Sequence, residues 1–333
     1  VTDTAADPQS GRAGSWFKAA VGLCAGIALL AALVLLLGIS RRSVLETLGR
    51  ATLGPLAFAA AGSLVLLGFQ SLRWWIVVRP LLPMPYALSY RAMALGFLFN
   101  VLVPLRAGDW LRVEYVSRRT SAPRGKLLGT ALVDYWIDKL GWVAAFPLIC
   151  AFGRPQMWLL RALLAVAGLA LGIALAVGWL LRSMPRAETA SGWKRWLNDL
   201  RDGLGMHRWT NLLLAALFVA PLPWLWETLL ISVASRAVGL SLTAAESFAV
   251  LSAFNLATVI PSPGNAGSLE SGGTLALLQF QVHQSTALAF MLLYHLTQVV
   301  PSVAAGAWVL ISERRTLVRA LFGSPKPRVS VMR

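Results

Sequence analysis

Two apolar stretches of this chain break at Pro and Gly, and each break carries side chains able to hold an anion or a proton. The first reads Asn100-Val-Leu-Val-Pro104-Leu-Arg106-Ala-Gly108-Asp109-Trp-Leu-Arg112-Val-Glu114. Pro and Gly interrupt a helix and free its backbone groups. A half-helix starting there points amide groups and a positive dipole end at an anion. Arg106 and Arg112 add full charge, and a guanidinium fork pairs with two oxygens of a phosphate. A plainer reading stands beside this one: an Arg106–Asp109 ion pair pins a tight turn, and Arg112 lies at an interface.

The second break reads Asn255-Leu-Ala-Thr-Val-Ile-Pro261-Ser-Pro263-Gly264-Asn-Ala-Gly267-Ser-Leu-Glu270 and holds no basic residue. Its glycines permit close backbone approach, and Ser262, Asn265 and Ser268 offer hydrogen bonds. Glu270 is either a functional carboxylate or the partner of Arg106 or Arg112, locking the two breaks together. Both breaks place Phe-Asn on an apolar run, then Pro, then Gly and an acid.

Other ionisable groups fall inside apolar runs. Asp134 and Asp138 are four apart and share a helix face. Like charges repel there, so one is expected to be protonated or paired with Lys139 or an arginine. Glu227 and His295 are further candidates, and Gln298 follows His295 by one helical turn. Asp134, Asp138, Lys139 and His295 are the expected proton or ion-pair group. Asp199 and Asp202 read as a solvated helix face.

The elements that position these residues are membrane helices. The 333 residues are 57% hydrophobic and 13% charged, whereas an ordinary soluble domain is about a quarter charged. Uncharged runs such as Val21–Ser40 and Ala162–Leu181 fit spans of ~20 residues. The first is read as a span, not a cleaved leader, because Arg41-Arg42 follows where a small-residue cleavage site belongs. Spans are expected at 16–39, 51–72, 127–151, 157–181, 210–235 and 285–311, after a polar tail over 1–15 and before a basic tail over 312–333. The broken segments, 88–120 and 245–281, are each too short on either side of the break to cross. Irregular backbone at membrane depth survives only where protein or water covers it. They are therefore expected to be re-entrant hairpins in an all-α membrane domain over 16–311.

The net charge of +16 falls mostly in loops. That pattern fits topology determinants facing anionic lipid, not nucleic-acid contacts. Placing both termini in the cytoplasm puts about 23 of the 30 Lys and Arg inside and about 6 outside. Units 51–151 and 210–311 then run in opposite directions with matching breaks, an inverted repeat of the kind that builds a midplane site. Trp74-Trp75, Trp110, Trp193, Trp196 and Trp209 suit interfacial anchors, and Trp193–Trp196 suits a short helix on the lipid surface. Cys24 and Cys150 fall in different spans, so neither a disulfide nor a metal site is expected. The chain has no phosphate-binding G-x-x-x-x-G-K-[ST] loop, no G-x-S-x-G elbow and no His/Cys cluster. No cofactor is expected.

The paired breaks resemble the two signatures of the lysylphosphatidylglycerol synthase transmembrane-region family. The residues that carry the likeness are Asn100, Pro104, Arg106, Gly108, Asp109 and Arg112, then Pro261, Pro263, Gly264, Gly267 and Glu270, and it extends over about 20–311. The resemblance implies lipid translocation, as in the flippase part of multiple peptide resistance factor. In those larger proteins a soluble aminoacyl-transferase domain follows. Here the chain ends at Arg333, so lipid aminoacylation is not expected. Family members often carry Glu-Arg-x-x-Asp in the third span and an Arg in the last. This chain has Asp134-Tyr-Trp-Ile-Asp138 and Tyr294-His295 instead.

The reading is a multi-pass inner-membrane transporter moving a phospholipid or polyprenyl-phosphate-type lipid between leaflets. Its substrate-binding residues are those eleven together with Asn255. The expected partners are a lipid with a phosphate-containing headgroup, the membrane, and either a second copy of the chain or a lipid-synthesis protein. Two alternatives stay open. One is an integral-membrane lipid-modifying enzyme using Asp109 with Glu114. The other is a non-transporting assembly partner.

Overall fold

A computed structural model describes residues 24–103, 107–151, 153, 156–183, 192–204, 214, 218–260 and 262–313. Among them the regular structure is helical, without a strand. Helix α1 (Cys24–Leu36) turns by 103° into α2 (Arg41–Arg50). Then come α3 (Leu53–Val78), α4 (Tyr86–Leu102), α5 (Ala107–Thr120), α6 (Arg124–Cys150), α7 (Met157–Ser183) and α8 (Trp193–Gly203). The last four are α9 (Pro221–Ser235), α10 (Ala244–Ala257), α11 (Ser268–Leu278) and α12 (Gln284–Ser312).

Among the described residues three helices are long and apolar enough to cross a membrane: Leu53–Val78, Met157–Leu180 and Gln284–Ser312. Helix α6 has 27 residues, with Asp134, Asp138 and Lys139 near its middle. The expected span at 16–39 is described only from Cys24, and of 210–220 only residues 214 and 218–220 are described. The expected end of the second span at 72 is corrected: α3 runs on to Val78 and carries Arg73 into the interior. An apolar-run criterion stops at an arginine, but this one is paired, and a paired charge can be buried.

Two large apolar cores lie in the bundle, with two smaller clusters beside them. In one, Leu67, Trp74 and Val78 of α3 meet Met93 and Leu95 of α4, Val113 and Tyr115 of α5, Leu127 and Ala131 of α6, and Val309 of α12. In the other, Ala59 of α3 and Trp142 and Ile149 of α6 meet α9, α10, α11 and Phe290, Met291 and Tyr294 of α12. The long helices α3, α6 and α12 thus pass through both cores. The α4–α5 hairpin packs on one end of them and the α10–α11 hairpin on the other.

Lipid tails are as apolar as leucine, so close packing must hold these helices together. Small residues provide it. A Cβ on Gly306 would overlap Leu98 of α4, and one on Gly141 would overlap Ala220. Helix α8 is also docked in this way. Gly125 and Gly129 of α6 lie against its backbone, so the helix expected on the lipid surface is fastened to α6 as well. Trp193 and Trp196 remain exposed on it. Asp202 is exposed, but Asp199 lies against Gly125, which corrects half of the solvated-face expectation. Trp74 is also corrected as an interfacial anchor, because it is wholly buried. Trp209 lies outside the described residues. Cys24 and Cys150 are free thiols.

Candidate functional site

The first break is built by α4 and α5 folding back on each other. Helix α4 ends at Leu102, Val103 is extended, and α5 begins at Ala107. Pro104 and Arg106 lie outside the described residues. Asn100 reaches across the break: its Oδ1 accepts from the Gly108 N–H at 2.8 Å. That bond satisfies one of the amides orphaned at the start of α5. Gly108 is required for the approach, since a Cβ there would overlap the Gly96 carbonyl.

One turn further on, Arg112 is buried, not interfacial as in the plainer reading. Its Nη1 lies 3.4 Å from Asp134 Oδ2 and 2.8 Å from Met93 Sδ. Its guanidinium sits over the Trp74 ring, 4.9 Å from the centroid. Asp109 Oδ1 is 3.8 Å from Nε, beyond hydrogen-bond range, and Nε has no hydrogen-bond partner. A buried guanidinium with a donor to spare is costly to leave alone.

Asp134 and Asp138 are both engaged by Arg73. Its Nε donates to Asp134 Oδ1 at 2.8 Å, and its Nη1 donates to Asp138 Oδ1 at 2.5 Å. Lys139 Nζ reaches Asp138 Oδ2 at 3.0 Å. Both acids are paired, with Lys139 and with arginines, which is the second of the two alternatives that their spacing raised. Arg73, Arg112 and Lys139 thus gather around the buried Asp134 and the half-buried Asp138, with Asp109 at the edge of the group. Nothing in the periodicity of α3 singled out Arg73. The available signal was the unpaired acid couple on α6, which called for a cation on a neighbouring helix. Glu227 stands nearby on α9, and Tyr294 OH points at its Oε1 at 3.4 Å.

The second break is built differently. Asn255 Nδ2 donates to the Leu251 carbonyl of its own helix at 2.9 Å, so it does not repeat the bridging role of Asn100. Pro263–Asn265 form a single 3-10 turn, and Gly264 has φ +58. Pro261 lies outside the described residues. Gly267 has φ +85, and a Cβ on it would overlap Gly26 of α1, so α1 closes over this break.

Glu270 does not pair with Arg112. Its Oε2 accepts from the Gly267 N–H at 2.7 Å, and its Oε1 lies 2.5 Å from His295 Nδ1. This corrects the inter-hairpin lock among the described residues. The carboxylate caps α11 through the Gly267 amide three residues back and finds its side-chain partner on the next span. His295 Nε2 donates to the Gly264 carbonyl at 2.8 Å. With that nitrogen donating to a carbonyl, the proton between Nδ1 and Glu270 is shared by the pair.

The two hairpins therefore follow one plan with opposite charge. Arg112 on α5 meets Asp134 on the following long helix, and Glu270 on α11 meets His295 on the following long helix. The breaks themselves touch, because a Cβ on Gly264 would lie 3.5 Å from Val101 Cγ1 on α4. No group of three or more His, Cys, Asp or Glu side chains among the described residues is placed to hold a metal.

None of the curated proteins matches the chain. The family model for the lysylphosphatidylglycerol synthase TM region matches residues 23–306, both hairpins and every long helix included. The chain is accordingly a multi-pass membrane protein of lipid-related kind, and it belongs to the lysylphosphatidylglycerol synthase transmembrane-region family.

Proposed function

We propose that the protein moves a lipid with a phosphate-containing headgroup between the leaflets of a bacterial-type inner membrane, with no covalent step. A headgroup crosses hydrocarbon slowly because its polar groups lose water without replacement. A polar path through the bundle lowers that barrier. Arg112 carries this reading. It is buried beside the first break, one of its donors is unfilled, and it belongs to a cluster that also holds the cations Arg73 and Lys139. Arg106 adds a second cation in sequence at the same break.

In this reading, units 51–151 and 210–311 are inverted repeats. Segment 88–120 enters from the cytoplasm, 245–281 enters from outside, and both termini are cytoplasmic. The support is the placement of the two hairpins on opposite ends of α3, α6 and α12, together with the distribution of Lys and Arg. The enzyme alternative asks Glu114 to work with Asp109. Glu114 is instead held by ion pairs to Arg118 and Arg124, which weighs for transport.

The test is leaflet exchange in vesicles reconstituted with the purified protein and a fluorescent phosphatidylglycerol. The protein is expected to speed the loss of outer-leaflet signal well beyond empty vesicles. Exchange no faster than in empty vesicles, with folded protein present, refutes the proposal. A mass change in the lipid would favour the enzyme.

A further inference from the structure

A second cluster, outside the interior network, gathers where the last long helix ends. Glu313 follows the final residue of α12, and its carboxylate receives three donors from the α4–α5 hairpin. Arg91 Nη1 of α4 donates to Oε1 at 2.8 Å. Tyr115 OH of α5 donates to Oε2 at 2.5 Å, and Arg119 Nη2 donates to the same oxygen. The Arg119 guanidinium also lies over the Tyr115 ring, 5.2 Å from its centroid. Both ends of the hairpin thus converge on one carboxylate.

We infer that Arg91, Tyr115 and Arg119 form a binding site for the phosphate group of an anionic lipid, and that Glu313 fills it in this structure as an internal stand-in. Two guanidinium groups and a phenol suit a tetrahedral phosphate as well as a planar carboxylate, since a phosphodiester spreads its single negative charge over two non-bridging oxygens. The donors are built into the bundle. Tyr115 is buried in the core, so its hydroxyl is fixed in place. The arginine side chains are 43% and 27% exposed, which leaves their outer faces open to a ligand. Glu313 is the C-cap of α12: its backbone N–H still donates to the Val309 carbonyl at 3.0 Å, but its φ of −108 is no longer helical. The site is distinct from the Arg112 network and does not depend on transport.

The test is native mass spectrometry of the detergent-purified full chain with phosphatidylglycerol, phosphatidylcholine and inorganic phosphate as separate probes. Glu313→Gln keeps the shape and removes the competing charge. It is expected to raise phosphatidylglycerol occupancy about tenfold in affinity, the equivalent of ~1.4 kcal/mol. That gain should vanish in Glu313→Gln with Arg119→Ala, and phosphatidylcholine should gain less. If inorganic phosphate displaces the lipid at comparable concentration, the phosphate assignment stands with a free anion as its source. Glu313→Asp, which keeps the charge but shortens the reach, covers the case in which Glu313→Gln does not fold. It should show a smaller gain in the same direction. Unchanged or weaker phosphatidylglycerol binding in both variants overturns the inference and leaves Glu313 as a staple between α12 and the hairpin.

Discussion

Replacing Arg73 with Ala tests whether the interior charge network holds the bundle together. Arg73 is 5% exposed and contacts two carboxylates. At an effective dielectric of about 20, a unit charge pair at 2.8 Å is worth about 6 kcal/mol before desolvation. Desolvation offsets most of that, but truncating one partner leaves a buried charge uncompensated, at about 3–5 kcal/mol. The two acids should not suffer equally. Asp138 keeps Lys139 at 3.0 Å, whereas Asp134 keeps only Arg112 at 3.4 Å. For a chain of this size the loss corresponds to a fall in Tm of about 4–7 °C, read by intrinsic tryptophan fluorescence in detergent. Arg73→Lys should cost roughly half as much, because an ammonium does not reach both acids as a fork does. Adding Asp134→Asn to Arg73→Ala should recover part of the loss, with a coupling of about 1–3 kcal/mol. A fall below about 2 °C, or strict additivity in the double variant, would refute the claim that this network is structurally coupled.

Three further outcomes follow from the same geometry. Gly108→Ala should destabilise by about 1–3 kcal/mol through overlap with Gly96, while Gly172→Ala, with open space around it, should be neutral in the same melt. His295→Ala should cost about 2–4 kcal/mol by stripping the buried Glu270 carboxylate of its main partner, and Glu270→Gln, which still accepts from Gly267, should cost less; equal losses contradict the shared-proton pair. In a chain freed of Cys24 and Cys150, single cysteines near Gly192 and Arg315 should react only from the cytoplasm and one near Arg41 only from outside; external labelling near Gly192 inverts the orientation.

Much of this was legible in the residues. Pro-Gly breaks between apolar runs mark hairpins because they remove backbone hydrogen bonds that a membrane cannot replace. The runs around α6, α7 and α12 were long enough to place within a few residues, whereas α3 ran past its expected end. What escaped the sequence was partnership. Arg73 looked like the end of a span because an isolated arginine is costly in an apolar interior, and only the three-dimensional nearness of Asp134 and Asp138 makes it affordable. The pairing of Glu270 with His295 was hidden for a similar reason: their separation of 25 residues has no local signature. The matched Phe-Asn pairs misled in one respect, since Asn100 bridges its break and Asn255 does not. The same Phe-Asn pair serves different bonds because Asn100 lies four residues before the Pro of its break and Asn255 six.

In the proposed function a buried cation at the first break handles a lipid phosphate. The most direct measurement is fluorescent phosphatidylglycerol exchange between leaflets of vesicles holding wild type, Arg112→Lys or Arg112→Ala, with folded protein quantified in each. Arg112→Ala is expected to lose most of the exchange while retaining its fold, and Arg112→Lys to keep an intermediate rate, since a point charge does not replace a bidentate fork. Folded Arg112→Ala protein exchanging lipid at the wild-type rate would contradict the account.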